Sequence, residues 1–144
     1  MPEPLPIVLG LEGVGRVEKA AGEGVQDWVG KRVSFLKAGS GTWGEYSVAI
    51  PHLSFPVEED LPIETAASGV VNPLTVVGMT DIYQKFPGHK GIIHTAAASA
   101  LGRMLNKRCQ RLGIHLLNIV RRQEQADLLR SEGAQHVIIT TGDW

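Results

Sequence analysis

The stretch GIIHTAAASALGRML (residues 91–105) decides how this chain folds, because it joins a strand-like run to a helix-like run through a corner of very small side chains. Beyond the corner, apolar residues recur at the spacing that places them on one face of a helix. They are Leu101, Met104, Leu105, Cys109 and Leu112. Gly113 can end that helix. The stretch therefore predicts a strand, a tight corner and an amphipathic helix.

The same alternation continues to the C-terminal side of this stretch. Residues 114–120 (IHLLNIV) predict a second strand, 123–132 (QEQADLLRSE) a second helix followed by Gly133, and 134–141 (AQHVIITT) a third strand. Short connections between alternating strands and helices imply parallel strands joined by right-handed crossovers. The C-terminal half is therefore predicted to be the first half of a doubly wound, Rossmann-type sheet.

Short strands separated by glycine-rich segments are predicted in the first 70 residues. The strands are 15–20, 31–36 and 43–50. The turn residues between them favour an antiparallel arrangement. The glycine-rich segment GLEGVG (10–15) leads into a strand and not into a helix, so we predict a tight turn there. We expect an α/β chain with a partial β domain over 1–70 and a partial Rossmann domain over 71–144.

A helix is predicted to lie between the two parts. Asn72 can cap its N-terminus, and Pro73 suits its first turn because the missing N–H would have no partner there. The helix can run to about Lys85 and has apolar residues on several faces. We therefore expect it to be buried between two layers.

The composition describes a chain that can bury a core and has no electrostatic preference for polyanions. Of its 144 residues, 43% are hydrophobic, and 14 lysines and arginines are balanced by 15 acidic residues to a net charge of -1. Neither nucleic acid nor a membrane is expected as a partner. A single cysteine, Cys109, excludes an internal disulfide. We expect a cytoplasmic protein, with an organelle address on a longer parent chain as the alternative.

Ala97, Ser99 and Gly102 of the small-residue corner fall on the spacing of the glycines in GxGxxG. In a βαβ unit this corner points backbone N–H groups and the positive end of the helix at a diphosphate, and bulky side chains would block the approach. Alanine and serine are the smallest replacements for glycine. The corner predicts a dinucleotide site, and the alternative is an ordinary strand-to-helix corner without a ligand.

Two arginines, Arg121 and Arg122, follow directly after the second predicted strand. In dinucleotide-binding folds an acidic residue at this point binds the ribose of NAD, whereas an arginine pairs with the additional 2′-phosphate of NADP. The pair therefore favours NADP(H). The alternative is that both arginines are exposed to solvent at the start of a helix, near Glu124 and Asp127.

Six stretches together carry a resemblance to a known family. They are, in chain order, LGLEGVGRV (9–17), GKRVSFL (30–36), GTWGEYSVA (41–49), AASGVVNPLTV (66–76), the small-residue corner, and GAQHVI (133–138). The chain resembles the medium-chain dehydrogenase/reductase superfamily, and most of all its zinc-free branch of quinone oxidoreductases and 2-enoyl thioester reductases. The resemblance implies a GroES-like β domain joined to a Rossmann domain. It also implies NADPH as cofactor and hydride transfer to a small-molecule substrate, either a quinone or an activated C=C bond such as an enone or enoyl thioester.

The same resemblance assigns provisional roles to several residues. It implies that Asn72 and Thr75 contact the nicotinamide end of the cofactor, against the alternative that Asn72 is only a helix cap. Amides at Ser99, Ala100 and Leu101 would meet the pyrophosphate. Arg121 would bind the 2′-phosphate, with Arg122 as its neighbour. Trp43 would line the substrate cleft, and the alternative is a tryptophan buried in the β core.

The resemblance also argues against a catalytic metal and raises a second possible role. Leu11 stands where zinc enzymes of the superfamily have a histidine ligand, and Val71 lies near the position of a second metal cysteine, so no metal is expected. Because members of the family are considerably longer, the chain is either part of a reductase or an inactive paralogue or fragment that serves as a nucleotide-binding or structural module. Uncovered strand edges would favour a homo-oligomer.

Overall fold

The computed structural model describes residues 7–37 and 41–140, which divide into two compact units between Val71 and Asn72. Each unit contains one three-stranded sheet. Every helix in the described ranges is too short or too polar to span a lipid bilayer. The two units are considered separately below.

The first unit is an antiparallel sheet in the order β1-β2-β3. Its strands are β1 (Glu12–Arg16), β2 (Arg32–Leu36) and β3 (Ser54–Pro56), and the short helix α1 (Ile63–Ala67) follows them. Strand β2 supplies Val33 and Phe35 to the core, which also contains Val25 and Ala66. The predicted antiparallel β unit is confirmed.

The structure corrects two details of this unit. The GLEGVG segment is not a tight turn, because Gly13 and Gly15 lie within β1, where the ring of Phe35 packs over Gly13. The predicted strand 43–50 is also wrong, and β3 forms at Ser54–Pro56 instead. Both edges of β2 are already paired, with β1 and with β3, so the alternating pattern of 43–50 has no edge of β2 to join.

The second unit is a parallel sheet in the order β4-β5-β6. Its elements are β4 (Ile92–His94), α3 (Ala100–Leu112), β5 (Leu116–Val120), α4 (Gln123–Ser131) and β6 (His136–Ile139). Gly113 ends α3 in the left-handed conformation, as predicted. The Rossmann-type half sheet is confirmed, and Thr141 of the predicted third strand lies outside the described residues.

Helix α2 (Val71–Lys85) differs from its prediction in two ways. It begins at Val71, so Asn72 lies in its first turn and is not the cap. Only one face is buried, through Val76 and Thr80, whereas Ile82 is 59% exposed. The prediction of burial between two layers is wrong within the described residues of the second unit, where the apolar cluster of α3 covers one side of α2 and Ile82 stays exposed.

The start of α2 is held by a carboxylate from β1. The Glu12 Oε2 atom accepts hydrogen bonds from the Val70 N–H at 3.1 Å and the Val71 N–H at 2.8 Å. These amides belong to the part of a helix that has no acceptor within the helix itself, and a negative charge there is also favoured by the helix dipole. Glu12 therefore has a structural role.

We predict that Glu12→Ala lowers the free energy of unfolding by about 1–3 kcal/mol, because two partly buried N–H groups lose their acceptor. Glu12→Gln should cost less, since an amide oxygen can still accept. Urea unfolding followed by circular dichroism measures both changes. Glu23→Ala is the matched control, because Glu23 is exposed and should change stability little. Equal stability of the Glu12→Ala and Glu23→Ala variants would contradict the capping role.

Candidate functional site

The corner between β4 and α3 has a constrained backbone. Ala96 has a φ of 52°, a left-handed conformation that alanine adopts only at a cost of about 1 kcal/mol. Ser99 then caps α3, since its Oγ accepts from the Gly102 N–H at 3.2 Å. Strain of this kind persists only where the surrounding structure holds it, and it is concentrated at ligand-binding sites.

Gly102 brings α3 into direct contact with the corner. A Cβ atom at this position would lie 2.3 Å from the Ala97 carbonyl oxygen, a distance that no side chain tolerates. Ala97 itself is fully buried in a cluster with Val120 and Ala126, so its methyl group faces the core. An alanine can therefore replace glycine at 97, whereas 102 must remain glycine.

The first amides of α3 are available to a ligand. The N–H groups of Ala100 and Leu101 have no acceptor within 7–37 or 41–140. The Leu101 side chain packs toward the core, which leaves only its backbone to face outward from the helix end. Amides at a helix N-terminus, together with the helix dipole, favour a negatively charged group.

A cleft of about 390 Å³ extends from this corner along the carboxyl ends of the strands. It joins the loop after β4 to the ends of β5 and β6. Its lining consists of Thr95, Ala96, Ala98, Ser99, Ile119, Val120, Arg121, Gln125 and Thr140. Two predicted site residues from different βα units, Ser99 and Arg121, therefore line one cleft.

Arg121 and Arg122 occupy different positions at the start of α4. Arg121 lines the cleft, and its backbone N–H donates to Gln125 Oε1 at 3.2 Å. Arg122 immediately precedes α4, whose first turn has no side-chain cap, and is not a lining residue. Neither guanidinium forms an ion pair with a described carboxylate. Asp127 in α4 binds Gln123 and Arg130.

The other predicted site residues lie elsewhere. Asn72 and Thr75 are in the first turns of α2, outside the lining of the cleft. Trp43 belongs to the first unit and is 72% exposed, so the alternative of a buried core tryptophan is wrong. The described residues contain no group of three or more His, Cys, Asp or Glu side chains arranged to hold a metal ion.

Sequence reasoning missed two polar lining residues outside the small-residue corner, Gln125 and Thr140. Thr140 follows β6, and the carboxyl ends of parallel strands meet at the same edge of a sheet, so its position could have been inferred. Gln125 lies four residues after Arg121, a spacing that allows its side chain to fold back over the start of α4.

Positive charge around the cleft comes from Arg121 in its lining, from the neighbouring Arg122 and from the N-terminal ends of the helices. Burial lowers the pKa of His94, the last residue of β4, so this imidazole is neutral at pH 7.

The Arg103 guanidinium of α3 binds Glu132, which follows α4. Arg103 Nε donates to Glu132 Oε1 at 2.9 Å, and this hydrogen bond lowers the pKa of the Glu132 carboxyl. Asn106 and Gln110 of α3 also donate to the Glu132 carbonyl. These contacts hold α3 and α4 together.

Two mitochondrial reductases are similar to this chain in sequence. The chain is 33% identical over 137 residues to a mitochondrial enoyl-acyl-carrier-protein reductase of Caenorhabditis elegans, an alignment that covers 92% of the chain and 39% of that protein. It is 34% identical over 147 residues to the human protein of that name, covering 96% and 38%. The chain therefore spans about two fifths of the length of these relatives. No protein-family model matches it.

Solved structures give the same result for the fold. A mycobacterial protein complexed with NADPH superposes with a TM-score of 0.83 at 30% identity, covering 99% of the chain and 44% of that protein. A Pseudomonas syringae quinone oxidoreductase superposes at 0.82 and 29% identity, with the same coverage. The parallel half sheet has the fold of the Rossmann-type class of proteins. The likenesses in sequence and structure confirm the resemblance to the zinc-free branch of the medium-chain dehydrogenase/reductase superfamily.

We predict that Gly102→Ala destabilises the protein by about 1–3 kcal/mol, because the new methyl group meets the Ala97 backbone and α3 must shift. Gly78→Ala is the matched control. Gly78 lies inside α2 with open space around its Cα, so alanine should stabilise it by about 0.5–1 kcal/mol. Urea midpoints of the two variants should move in opposite directions, and a shared direction would contradict the close contact.

A second prediction concerns pH. The pKa of Glu132 is lowered from 4.5 in the folded state, so its ion pair stabilises the fold above that pH, and this stabilisation disappears as the pH falls through the folded value. The urea midpoint of Glu132→Gln should therefore drop less between pH 7 and about pH 3 than that of the unsubstituted protein. Glu124→Gln, at an exposed position, should retain the full drop. A full drop in Glu132→Gln would contradict the assignment.

Proposed function

We propose that the chain provides the NADPH-binding part of a zinc-independent oxidoreductase that transfers hydride to a quinone or to an activated C=C bond, such as an enone or enoyl thioester. The observation that carries the proposal is the single cleft lined by both Ser99 and Arg121. A capped helix end with available amides lies on one side of it, and an arginine without an ion pair among the described residues lies on the other.

These residues suit the pyrophosphate and the 2′-phosphate of NADPH. The Ser99 hydroxyl and the amides of Ala100 and Leu101 would bind the pyrophosphate. Arg121 would bind the 2′-phosphate, because a guanidinium forms strong charge-assisted hydrogen bonds with phosphate oxygens. Arg122 would add positive charge beside it. When bound, NADPH supplies the hydride.

The remaining residue assignments follow the family resemblance. Asn72 and Thr75 would contact the nicotinamide end, and Trp43 would line the substrate cleft. The division into a partial GroES-like domain over 1–70 and a partial Rossmann domain over 71–144 forms part of the same proposal. We also propose self-association, since β4 and β6 each have one edge unpaired within the described residues.

The proposed substrate class follows the names of similar proteins. The relatives found by sequence similarity are enoyl-acyl-carrier-protein reductases, and one protein found by structural similarity is a quinone oxidoreductase. The relatives that are similar in sequence are named as mitochondrial proteins. The residues of this chain led us to expect the cytoplasm. We retain the cytoplasm as the proposed compartment, and fractionation of the source cells tests it.

A binding role without turnover is the second candidate. It is favoured by the contents of the described cleft, whose lining contains phosphate-binding groups and no carboxylate, histidine, lysine, tyrosine or cysteine side chain. Reduction of a quinone or an enoyl thioester by the full chain with NADPH supports the reductase. Binding of NADPH without reduction of either substrate supports the module.

We predict that the chain binds 2′,5′-ADP more tightly than 5′-AMP in isothermal titration, because only the first ligand carries the 2′-phosphate. Arg121→Ala should reduce that preference by about tenfold or more, the loss expected for a hydrogen bond to a charged group. Arg111→Ala is the matched control, since Arg111 is an exposed arginine in the last turn of α3 and outside the cleft. An unchanged preference in the Arg121→Ala variant would contradict the 2′-phosphate assignment.

A further inference from the structure

We infer that Gln125 is a specificity-determining residue of the cleft, with its side-chain oxygen fixing the Arg121 peptide and its NH₂ group facing the 2′-phosphate of the bound dinucleotide. This inference rests on the proposed function and extends it to a residue that neither the GxGxxG spacing nor the arginine pair indicates. Gln125 lies in the first turn of α4, is half-buried, and lines the cleft together with Arg121 and Ser99.

The orientation of the Gln125 carboxamide follows from its one described hydrogen bond. The Arg121 backbone N–H can only donate, so the atom that meets it at 3.2 Å must be the oxygen, Oε1. In a planar carboxamide the nitrogen projects away from the oxygen. The NH₂ group is therefore directed away from the Arg121 peptide, and Nε2 has no acceptor in the described part of the chain.

Two other helical glutamines of this unit, Gln110 and Gln123, use their nitrogen inside the protein. Gln123 Nε2 donates to Asp127 Oδ1 at 2.7 Å, and Gln110 Nε2 donates to the Glu132 carbonyl at 2.9 Å. Gln125 differs because its oxygen is engaged and its two N–H donors remain available. Because Gln125 lies on the cleft wall, these two donors face the space in which an anionic ligand would bind.

The chemistry of this position distinguishes two kinds of ribose. A neutral carboxamide presents donors, which suit a phosphate. A carboxylate presents only acceptors, which suit a free 2′-hydroxyl and repel a phosphate. A glutamate introduced at position 125 would still accept from the Arg121 N–H, so the local backbone would be preserved. It would also attract the guanidinium that the phosphate needs.

The test is isothermal titration of the full chain with 2′,5′-ADP and with 5′-AMP. Gln125→Glu should lose at least about tenfold in affinity for 2′,5′-ADP and change by less than about threefold for 5′-AMP. Gln123→Glu is the matched control. It makes the same charge change in the same helical turn, outside the cleft, and should change both affinities by less than about threefold.

A second variant and a stability measurement separate this role from a structural one. Gln125→Met has similar length and no donors, so it should weaken 2′,5′-ADP binding by less than Gln125→Glu does. The thermal midpoints of both variants are measured alongside. Equal losses for both ligands in Gln125→Glu, or no loss for either, would overturn the inference for Gln125 and leave the Arg121 assignment standing. Absence of any preference for 2′,5′-ADP in the unsubstituted chain would overturn both.

Discussion

The close approach of α3 to the corner after β4 is the constraint on which the cleft depends. Because Gly102 has no side chain, the helix can rest against the Ala97 carbonyl, and its first amides then emerge beside the carboxyl end of the sheet. Any larger residue at 102 would push the helix outward and move those amides with it. The absence of one methyl group thus fixes the geometry of the candidate phosphate site.

The two ends of the cleft are formed by the same arrangement of strand, corner and helix. In each βα unit a parallel strand ends, a short corner follows, and a helix begins with amides directed toward the ligand space. The first corner is closed by its own serine cap, whereas the second has no side-chain cap and carries Arg121 and Arg122 instead. A serine cap and an arginine therefore follow one another along the sheet edge, as the proposed phosphate contacts require.

The Rossmann half could be predicted from the sequence because local signals agree there with long-range packing. The apolar stripe of α3, the cap at Ser99 and the glycine at 113 all specify the same helix. Arg121 could be placed at the cleft because the ends of parallel strands share one edge. Gln125 was missed, since its role depends on a side chain folding back onto the backbone, which no periodic pattern records.

The β unit was harder to predict because its determinants are not local. Glycines 13 and 15 indicated a turn, yet they lie in a strand where an aromatic ring from β2 needs the space. The alternation over 43–50 satisfied a strand pattern, but both edges of the central strand β2 are taken by β1 and β3. Asn72 was assigned as a cap from its residue type, whereas Glu12, distant in sequence, supplies the acceptor at that helix start.

The contacts between Arg103 and Glu132 have a consequence for the rate and entropy of ligand capture. They join α3, whose cap Ser99 lines the cleft, to α4, whose Gln125 lines it, so the two helices are restrained relative to each other before any ligand arrives. A preorganised site loses little conformational freedom on association. Binding of the proposed dinucleotide should therefore cost little conformational entropy within the second unit, and its rate should be governed by diffusion and electrostatic attraction.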